Sequence, residues 1–114
     1  MNEYRRTRRR SVAHTITVVD AMTEQEIGRI GNLSENGLLL VGTSPLTEDA
    51  LYQFRFTIGD DGGAHTVELG AHQLWSDVAS VPGQYWVGFR FIDVAAEDVV
   101  RIRQWIDAPG SHYA

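Results

Sequence analysis

The sequence contains no cysteine, no lysine and no long hydrophobic run. The lack of thiols excludes disulfides, thiolate metal sites and a cysteine nucleophile, and it agrees with a reducing compartment. The longest apolar run, residues 38–41, is far shorter than the ~18 residues of a membrane-spanning helix, so no membrane association is expected. The N-terminus is basic but lacks the apolar stretch of a secretory signal peptide. We therefore expect a cytoplasmic protein.

Every one of the ten basic residues is arginine, and half of them lie in the first ten positions, at Arg5, Arg6, Arg8, Arg9 and Arg10. The remaining residues carry five arginines against fourteen acids, so a basic arm is joined to an acidic body. A guanidinium is a planar fork of donors that matches a phosphate or a guanine edge. The arm therefore indicates anion recognition. Taken alone, it also fits a solvated tail, a nonspecific nucleic-acid arm or a localisation signal.

Period-two alternation of apolar residues indicates that most of the body forms β-strands. Strands are predicted over residues 15–20, 26–31, 38–41 and 51–58, from 67 towards 75, and over 87–91. The segments between them have turn composition, notably residues 22–25, 32–37 and 59–63 and the Pro82-Gly83 pair. About six short antiparallel strands suggest a small closed barrel.

A helical pattern follows the strands. Val99, Ile102, Trp105 and Ile106 share one helical face, and Pro109-Gly110 ends the pattern. We therefore predict an all-β fold: a small six-stranded antiparallel barrel with a C-terminal α-helix and a flexible Arg-rich N-terminal arm. Barrel closure removes exposed strand edges. The apolar helix face can pack on this barrel or on a second copy, so both a monomer and a homodimer are open.

The chain divides into an arm at residues 1–12, a barrel with its helix (about 95–107) at 13–108, and a tail at 109–114. We expect Trp75 to pack within the barrel rather than to line a ligand site.

Two short motifs contain the candidate binding residues. The arm has R-x-x-x-R spacing, either as Arg5 and Arg9 or as Arg6 and Arg10. Farther along, Asn32, Ser34 and Gly37 form an N-x-S-x-x-G turn, in which Asn and Ser can cap the backbone and Gly37 can take a positive φ angle. Alone, this turn is more simply explained as an ordinary connection between strands.

Together, the two motifs in an all-β chain of this size resemble the PilZ domain. Val12, Ile16 and Val18 fall at apolar positions of that family's first strand, which favours the register of Arg5 and Arg9. The sequence departs from the family pattern at Thr7, where an aromatic residue is common, and in two additional arginines. The later segments Leu74-Trp75 and residues 87–91 are similar to the family's late strands.

The resemblance implies a bacterial receptor for cyclic di-GMP. Arg5 and Arg9 would bind guanine edges and phosphate, and Arg6 would stack or contact phosphate, with Arg10 as the alternative partner. Asn32 and Ser34 would bind the second guanine or a phosphate, and Gly37 would permit close approach. Ligand binding would order the arm and relay the signal to an unidentified partner protein.

Two other functions are weighed against the receptor. A PilZ-like interaction module that no longer binds ligand is the main alternative. A small nucleic-acid-binding barrel is less favoured, because no basic stripe continues across the acidic body, and no nucleic-acid partner is expected. No enzyme is expected: the four histidines lack metal-site spacing, and Ser34 is not in a nucleophile motif. We therefore predict no catalytic residues, no metal and no cofactor.

Overall fold

The computed structural model describes residues 7–43, 49–59 and 63–114, which form seven strands and one helix. The strands are β1 (Arg10–Ser11), β2 (Thr17–Asp20), β3 (Gln25–Ser34), β4 (Gly37–Gly42), β5 (Leu51–Ile58), β6 (His65–Val78) and β7 (Tyr85–Asp93), and the helix is α1 (Ala96–Asp107). Strands β2 to β7 close into an antiparallel barrel, and β1 lies outside it. The predicted fold class is confirmed.

The barrel closes because β3 pairs along both of its edges. The strands follow the order β3-β2-β5-β6-β7-β4, and β4 pairs back to β3. On the opposite edge of β3, Arg29 pairs with Thr17 of β2, whereas Asn32 and Leu33 pair with β1. The short strand β1 therefore occupies the part of β3 that β2 does not reach.

Side chains alternate across the barrel wall as the sequence predicts. Buried inward-facing residues are Phe54, Phe56 and Ile58 on β5, Val67, Leu69 and Ala71 on β6, and Val87, Phe89 and Phe91 on β7. Burial of a large apolar side chain contributes about 1.5–3 kcal/mol. This alternating set therefore contributes a large share of the stability of the barrel.

The apolar face of α1 packs on its own barrel. Ile102, Trp105 and Ile106 are buried and belong to the same core cluster as the strand residues. Val99, the fourth residue of the predicted stripe, is half-buried. Glu97 and Asp98 lie in the first turn, where carboxylates are favoured by the helix dipole. The sequence analysis allowed the apolar face of the helix to pack either on its own barrel or on a second copy. Most of this face is covered by the barrel of the same chain.

The turn after β3 is shorter than predicted. The sequence indicates a turn over residues 32–37, but Asn32, Leu33 and Ser34 continue the strand, and only Glu35 and Asn36 form the turn. The ladder continues because Leu33 is completely buried and Asn32 pairs with both neighbouring strands. The motif therefore lies at the end of a hairpin and not on a loose loop.

The described part of the arm is paired on both sides. Ser11 pairs with Asn32 of β3, and the Val12 N–H donates to the Gly31 carbonyl at 3.0 Å. On the other side, the Ser11 N–H donates to the His112 carbonyl at 2.7 Å, and the Ala114 N–H donates to the Arg9 carbonyl at 2.9 Å. Residues 9–12 therefore lie between the barrel and the C-terminal tail, although the sequence predicts a flexible arm there.

Candidate ligand-binding site

The arm distributes its arginines between two sides. Arg9 reaches Asn32 on the barrel, whereas Arg8 and Arg10 reach α1 and the tail. Such a division follows from extended backbone, in which successive side chains point in opposite directions. Arg5 and Arg6 lie outside the described residues.

Arg9 and Asn32 link the two motifs directly. The Arg9 Nη1 donates to Asn32 Oδ1 at 2.9 Å, across 23 residues of sequence. Burial lowers the pKa of the Arg9 guanidinium, but arginine stays protonated at neutral pH. Because the Asn32 amide is neutral, this contact leaves the positive charge of Arg9 uncompensated by its partner. The pair thus presents a partly buried positive charge that is available to an anion.

Ser34 supports the turn from inside. The side chain is completely buried, and its Oγ lies 2.9 Å from Asn36 Oδ1 and 3.1 Å from the Gly37 carbonyl oxygen. The Asn36 N–H also donates to this hydroxyl at 3.4 Å. These contacts fix the hairpin end that carries the motif, so the geometry gives Ser34 a supporting position and not an outward-facing one.

Gly37 is required by close strand packing. Its backbone is not in the positive-φ region, so that part of the expectation is wrong. A Cβ atom at Gly37 would lie 2.4 Å from the Phe89 carbonyl oxygen and 3.6 Å from Arg9 Nη2. Any side chain here would push β7 away and meet the Arg9 guanidinium. Arg90, which is exposed, pairs with Gly37 and adds a cation at the same edge.

Beside Arg9 and Asn32 lies a shallow recess of about 250 Å³ on the outer surface of the barrel. Its lining comes from β3, β4, β6, β7 and the arm, and consists of Arg9, Asn32, Leu38, Leu39, Leu74, Trp75, Gly88 and Phe89. One end is thus cationic and polar, and the other is apolar and aromatic. Such a composition suits a ligand that has both an anionic group and a flat ring.

Trp75 faces this recess, contrary to the prediction that it packs within the barrel. Between Gln73 and Trp75 the register of β6 against β7 shifts by one residue, which marks a β-bulge. The bulge changes the phase of the strand, so that Gln73 is buried while Leu74 and Trp75 are both exposed, Trp75 by 46%. Simple alternation from Val67 onward places Trp75 inward, which explains why the sequence pattern missed it.

Gly88 provides the surface on which Trp75 lies. A Cβ atom at Gly88 would be 2.4 Å from Trp75 Nε1 and 2.5 Å from Trp75 Cε2. The indole therefore lies against the β7 backbone at Gly88, where only glycine leaves room. This arrangement holds a large aromatic face at the outer surface without burying it. The sequence signal for this arrangement is a tryptophan on one strand that pairs with a glycine on the next. Because the bulge shifts the register, this pairing could not be identified from the sequence.

The two additional arginines have other partners. Arg10 Nη1 donates to the Trp105 carbonyl at 2.6 Å, and its guanidinium lies 4.2 Å from the centre of the Trp105 ring. Arg8 forms an ion pair with Asp107 and lies 4.9 Å from the centre of the Tyr113 ring. Arg9, Asn32 and Gly37 are thus brought together with Ser34 beneath them, whereas Arg10 is directed away from this group.

The described residues include no group of three side chains with metal-ligand chemistry. In the same part of the chain, no helix combines the length and apolarity needed to cross a bilayer. What the site offers instead is a fork of charged donors at Arg9, an amide at Asn32 and an aromatic face at Trp75. Such groups bind by hydrogen bonding, ion pairing and stacking.

The family model described as PilZ domain matches residues 3–108. No curated protein sequence matches the chain. Among solved structures, the Bacillus subtilis inhibitor of motility MotI/DgrA is similar with a TM-score of 0.74 and 13% identity, over 92% of this chain and 49% of that one. MrkH, a c-di-GMP-dependent transcription regulatory factor, gives 0.70 and 16%, over 87% of this chain and 48% of its own.

The PilZ domain of Escherichia coli YcgR with c-di-GMP gives a TM-score of 0.66 and 16% identity, over 90% of this chain and 88% of that one. The chain therefore spans about half the length of the first two proteins and nearly all of the third. At these identities the similarity establishes the fold, and the family match extends over almost the entire chain.

Proposed function

This chain belongs to the PilZ domain family, and we propose that it is a receptor for cyclic di-GMP which passes its signal to a partner protein. Domains of this family are receptor or adaptor modules. The observation that supports the proposal is the contact between Arg9 and Asn32 beside the recess with Trp75. That contact joins the two motifs on the outer surface of the barrel, which supports their use as a single ligand site.

The chemistry of the ligand matches the groups at this site. Cyclic di-GMP has two phosphates and two guanines, and each guanine presents the O6 and N7 acceptors on its Hoogsteen edge. An arginine fork binds either a phosphate or this edge with two parallel hydrogen bonds. We assign Arg9 to this role, together with Arg5 as the other half of the R-x-x-x-R spacing and Arg6 as a stacking or phosphate contact.

Asn32 has the second role at the site. Its amide can bond a guanine or a phosphate once Arg9 turns from Asn32 Oδ1 to the ligand. Ser34 and Gly37 act indirectly: Ser34 holds the hairpin end, and Gly37 lets β7 and the Arg9 guanidinium approach. The geometry therefore favours Arg5 and Arg9 over Arg6 and Arg10 as the principal pair, because Arg10 is directed towards Trp105.

The apolar end of the recess completes the site. A guanine stacked on Trp75 would cover the exposed indole, and stacking of a base on an aromatic side chain contributes about 1–3 kcal/mol. The arm would then be held between the ligand and the barrel. A partner protein would recognise the surface formed by the ligand-bound arm, in a cytoplasmic signalling role.

Isothermal titration calorimetry with cyclic di-GMP tests the proposal. Charge-assisted hydrogen bonds contribute about 1.5–3 kcal/mol each, so Arg9→Ala should weaken binding by about 10- to 100-fold. The matched control is Arg29→Ala, an exposed arginine of the same acidic body on β3, which should leave the affinity unchanged. GTP serves as the ligand control.

Absence of binding by a folded wild-type protein would refute the receptor function. It would favour the PilZ-like interaction module that has lost its ligand. Equal loss of affinity in the Arg9 and Arg29 variants would also contradict the proposal, because it would indicate general charge attraction. Tight, salt-dependent binding of single-stranded DNA by the wild type would favour the nucleic-acid-binding alternative.

A further inference from the structure

We propose that the C-terminal segment of the chain holds the arm on the barrel and thereby positions Arg9, and that Arg8 and Arg10 serve this clasp instead of contacting ligand. The clasp is defined as the contacts of residues 8–11 with Trp105, Asp107 and residues 112–114. The expected effect of the clasp on the affinity for cyclic di-GMP rests on the proposed function. The existence of the clasp does not depend on that function.

The clasp contains both side-chain and backbone contacts. Arg8 forms an ion pair with Asp107 at the end of α1 and lies over the Tyr113 ring. Arg10 donates to the Trp105 carbonyl and lies over the Trp105 ring. A guanidinium over an aromatic ring within about 6 Å is a favourable contact, and both arginines have one. The two guanidinium groups therefore bracket the end of the helix and the tail.

The tail is itself tied to the helix. The Tyr113 hydroxyl donates to the Ile106 carbonyl at 2.8 Å, and the Ser111 hydroxyl donates to the Ala108 carbonyl at 2.5 Å. Ile106 is buried in the core. The tail is thus held by a rigid element, and it can hold the arm in turn.

The backbone places the arm between two partners. The Val12 N–H donates to Gly31 on the barrel side, and the Ser11 N–H donates to His112 on the tail side. Arg10 also pairs with Tyr113 as an isolated bridge, and Ala114 donates to Arg9. Since β1 has only two residues, its pairing with β3 is short, and an isolated pairing of this length is unstable in water. The tail supplies the second partner that the strand needs.

The consequence concerns Arg9. Its side chain meets Asn32 only while the arm is docked, so the docked fraction sets the fraction of molecules that can bind. The apparent affinity falls in proportion to this fraction. The additional arginines of the run are thereby explained: they fix the register that the R-x-x-x-R spacing leaves open.

The test uses a variant with Tyr113→Gly and Ala114→Pro, which removes the ring under Arg8 and the N–H that donates to Arg9. The control is His112→Ala in the same segment, whose side chain is exposed and whose carbonyl is retained. Amide hydrogen exchange is followed by NMR without ligand, at Ser11 for the tail side and at Val12 for the barrel side. Amides of β5 and β6 monitor global folding.

We expect the double variant to lose protection at both Ser11 and Val12, while the amides of β5 and β6 and the His112→Ala variant keep theirs. With cyclic di-GMP, its Kd should rise by about three- to tenfold, because fewer molecules have the arm docked. Unchanged protection at Val12 would overturn the proposal, since the arm would then hold to the barrel without the tail. So would an unchanged Kd despite lost protection.

The two proposals fail in different ways. If the wild type does not bind cyclic di-GMP, the proposed function is wrong. The hydrogen-exchange protection of the Val12 amide alone then tests whether the tail holds the arm. If the wild type binds and the double variant binds equally well, the receptor function stands and the positioning role of the tail is wrong.

Discussion

Two walls of the barrel have outer surfaces of opposite character. The regular wall is formed by β5 and the first half of β6, which pair over eight consecutive residues without a break in register. The irregular wall is formed by the second half of β6 with β7, where the register shifts twice. Outside the regular wall lies an ion pair between Arg55 and Glu24; outside the irregular wall lies Trp75.

The difference indicates how the fold separates stability from recognition. The regular wall buries its large side chains inward and leaves exposed charges outside, where ion pairs contribute little. In the irregular wall, one extra residue in β6 turns the Trp75 indole outward. A large apolar side chain is therefore left partly exposed instead of buried in the core. A residue that would stabilise the core is thus available to a ligand. The following changes test this contrast, from the largest expected effect to the smallest.

The first change is Phe54→Ala on the regular wall. Phe54 is completely buried and packs edge-to-face on Phe89, with ring centres 4.7 Å apart. Truncation leaves a cavity, and we expect a loss of about 3–5 kcal/mol in the free energy of unfolding. Urea denaturation measures it. Leu51→Ala, at an exposed position of the same strand, should change stability by less than about 0.5 kcal/mol. Similar losses in both variants would contradict the contrast.

The second change is Trp75→Ala on the irregular wall. Because the indole is half exposed, stability should change little, but loss of stacking should weaken cyclic di-GMP binding by about 1–3 kcal/mol. Calorimetry of ligand binding and thermal melting give the two values. Val78→Ala, farther along the same strand and 67% exposed, is the control. A large loss of stability with unchanged affinity would show that Trp75 is a packing residue after all.

The third change is Gly88→Ala, which adds a methyl group beneath the indole. The ring must swing away from the β7 backbone, because the new Cβ would overlap Trp75 Nε1. We expect affinity to fall less than in Trp75→Ala, by about 1 kcal/mol, since the ring is displaced but retained. Tryptophan fluorescence should report the new environment. An unchanged emission spectrum together with unchanged affinity would disprove the role of Gly88.

The smallest effect is expected on the outside of the regular wall. The hydrogen bond from Arg55, with its charge, lowers the pKa of the Glu24 carboxyl. A carboxyl whose pKa is lower in the folded state stabilises the protein above its unfolded pKa and loses that effect as pH falls through the folded value. Wild type should therefore melt slightly above Glu24→Gln at neutral pH. The difference should shrink as the pH falls below the unfolded carboxyl pKa of about 4.3, and it should vanish once the pH is below the lowered folded pKa.

The matched control for this pair is Glu68→Gln. The Glu68 carboxylate is 3.9 Å from Arg55 Nη1, farther than the Glu24 oxygen that accepts from the same nitrogen at 3.1 Å. Its substitution should shift the melting temperature less. A difference between wild type and Glu24→Gln that grows on acidification would have the wrong sign and would contradict the assignment.

The regular wall and the helix could be predicted from the sequence because their signals are local. Tyr52, Phe54, Phe56 and Ile58 alternate within a single strand, and the spacing of Ile102 and Ile106 is helical. Both patterns need only neighbouring residues. The six-stranded barrel then follows from the number and spacing of the strands, and the structure bears it out.

The site was harder to predict because its geometry depends on pairing between distant segments. One bulge residue at Leu74 reverses the direction of Trp75, and nothing within β6 marks it. The hairpin end is shorter than its composition indicates because Leu33 is drawn into the core. The partners of Arg8 and Arg10 lie near the opposite end of the sequence, so composition alone could not separate these residues from Arg9.

The hydrogen bond between Ala114 and Arg9 also bears on the order of folding. It joins segments at opposite ends of the described chain, and contacts of such large sequence separation carry the greatest loop-closure entropy. We expect it to form after the barrel and helix are in place. A partly folded molecule would then have a closed barrel without an anchored arm. The ability to bind ligand with full affinity would therefore appear only after the barrel and the helix have folded.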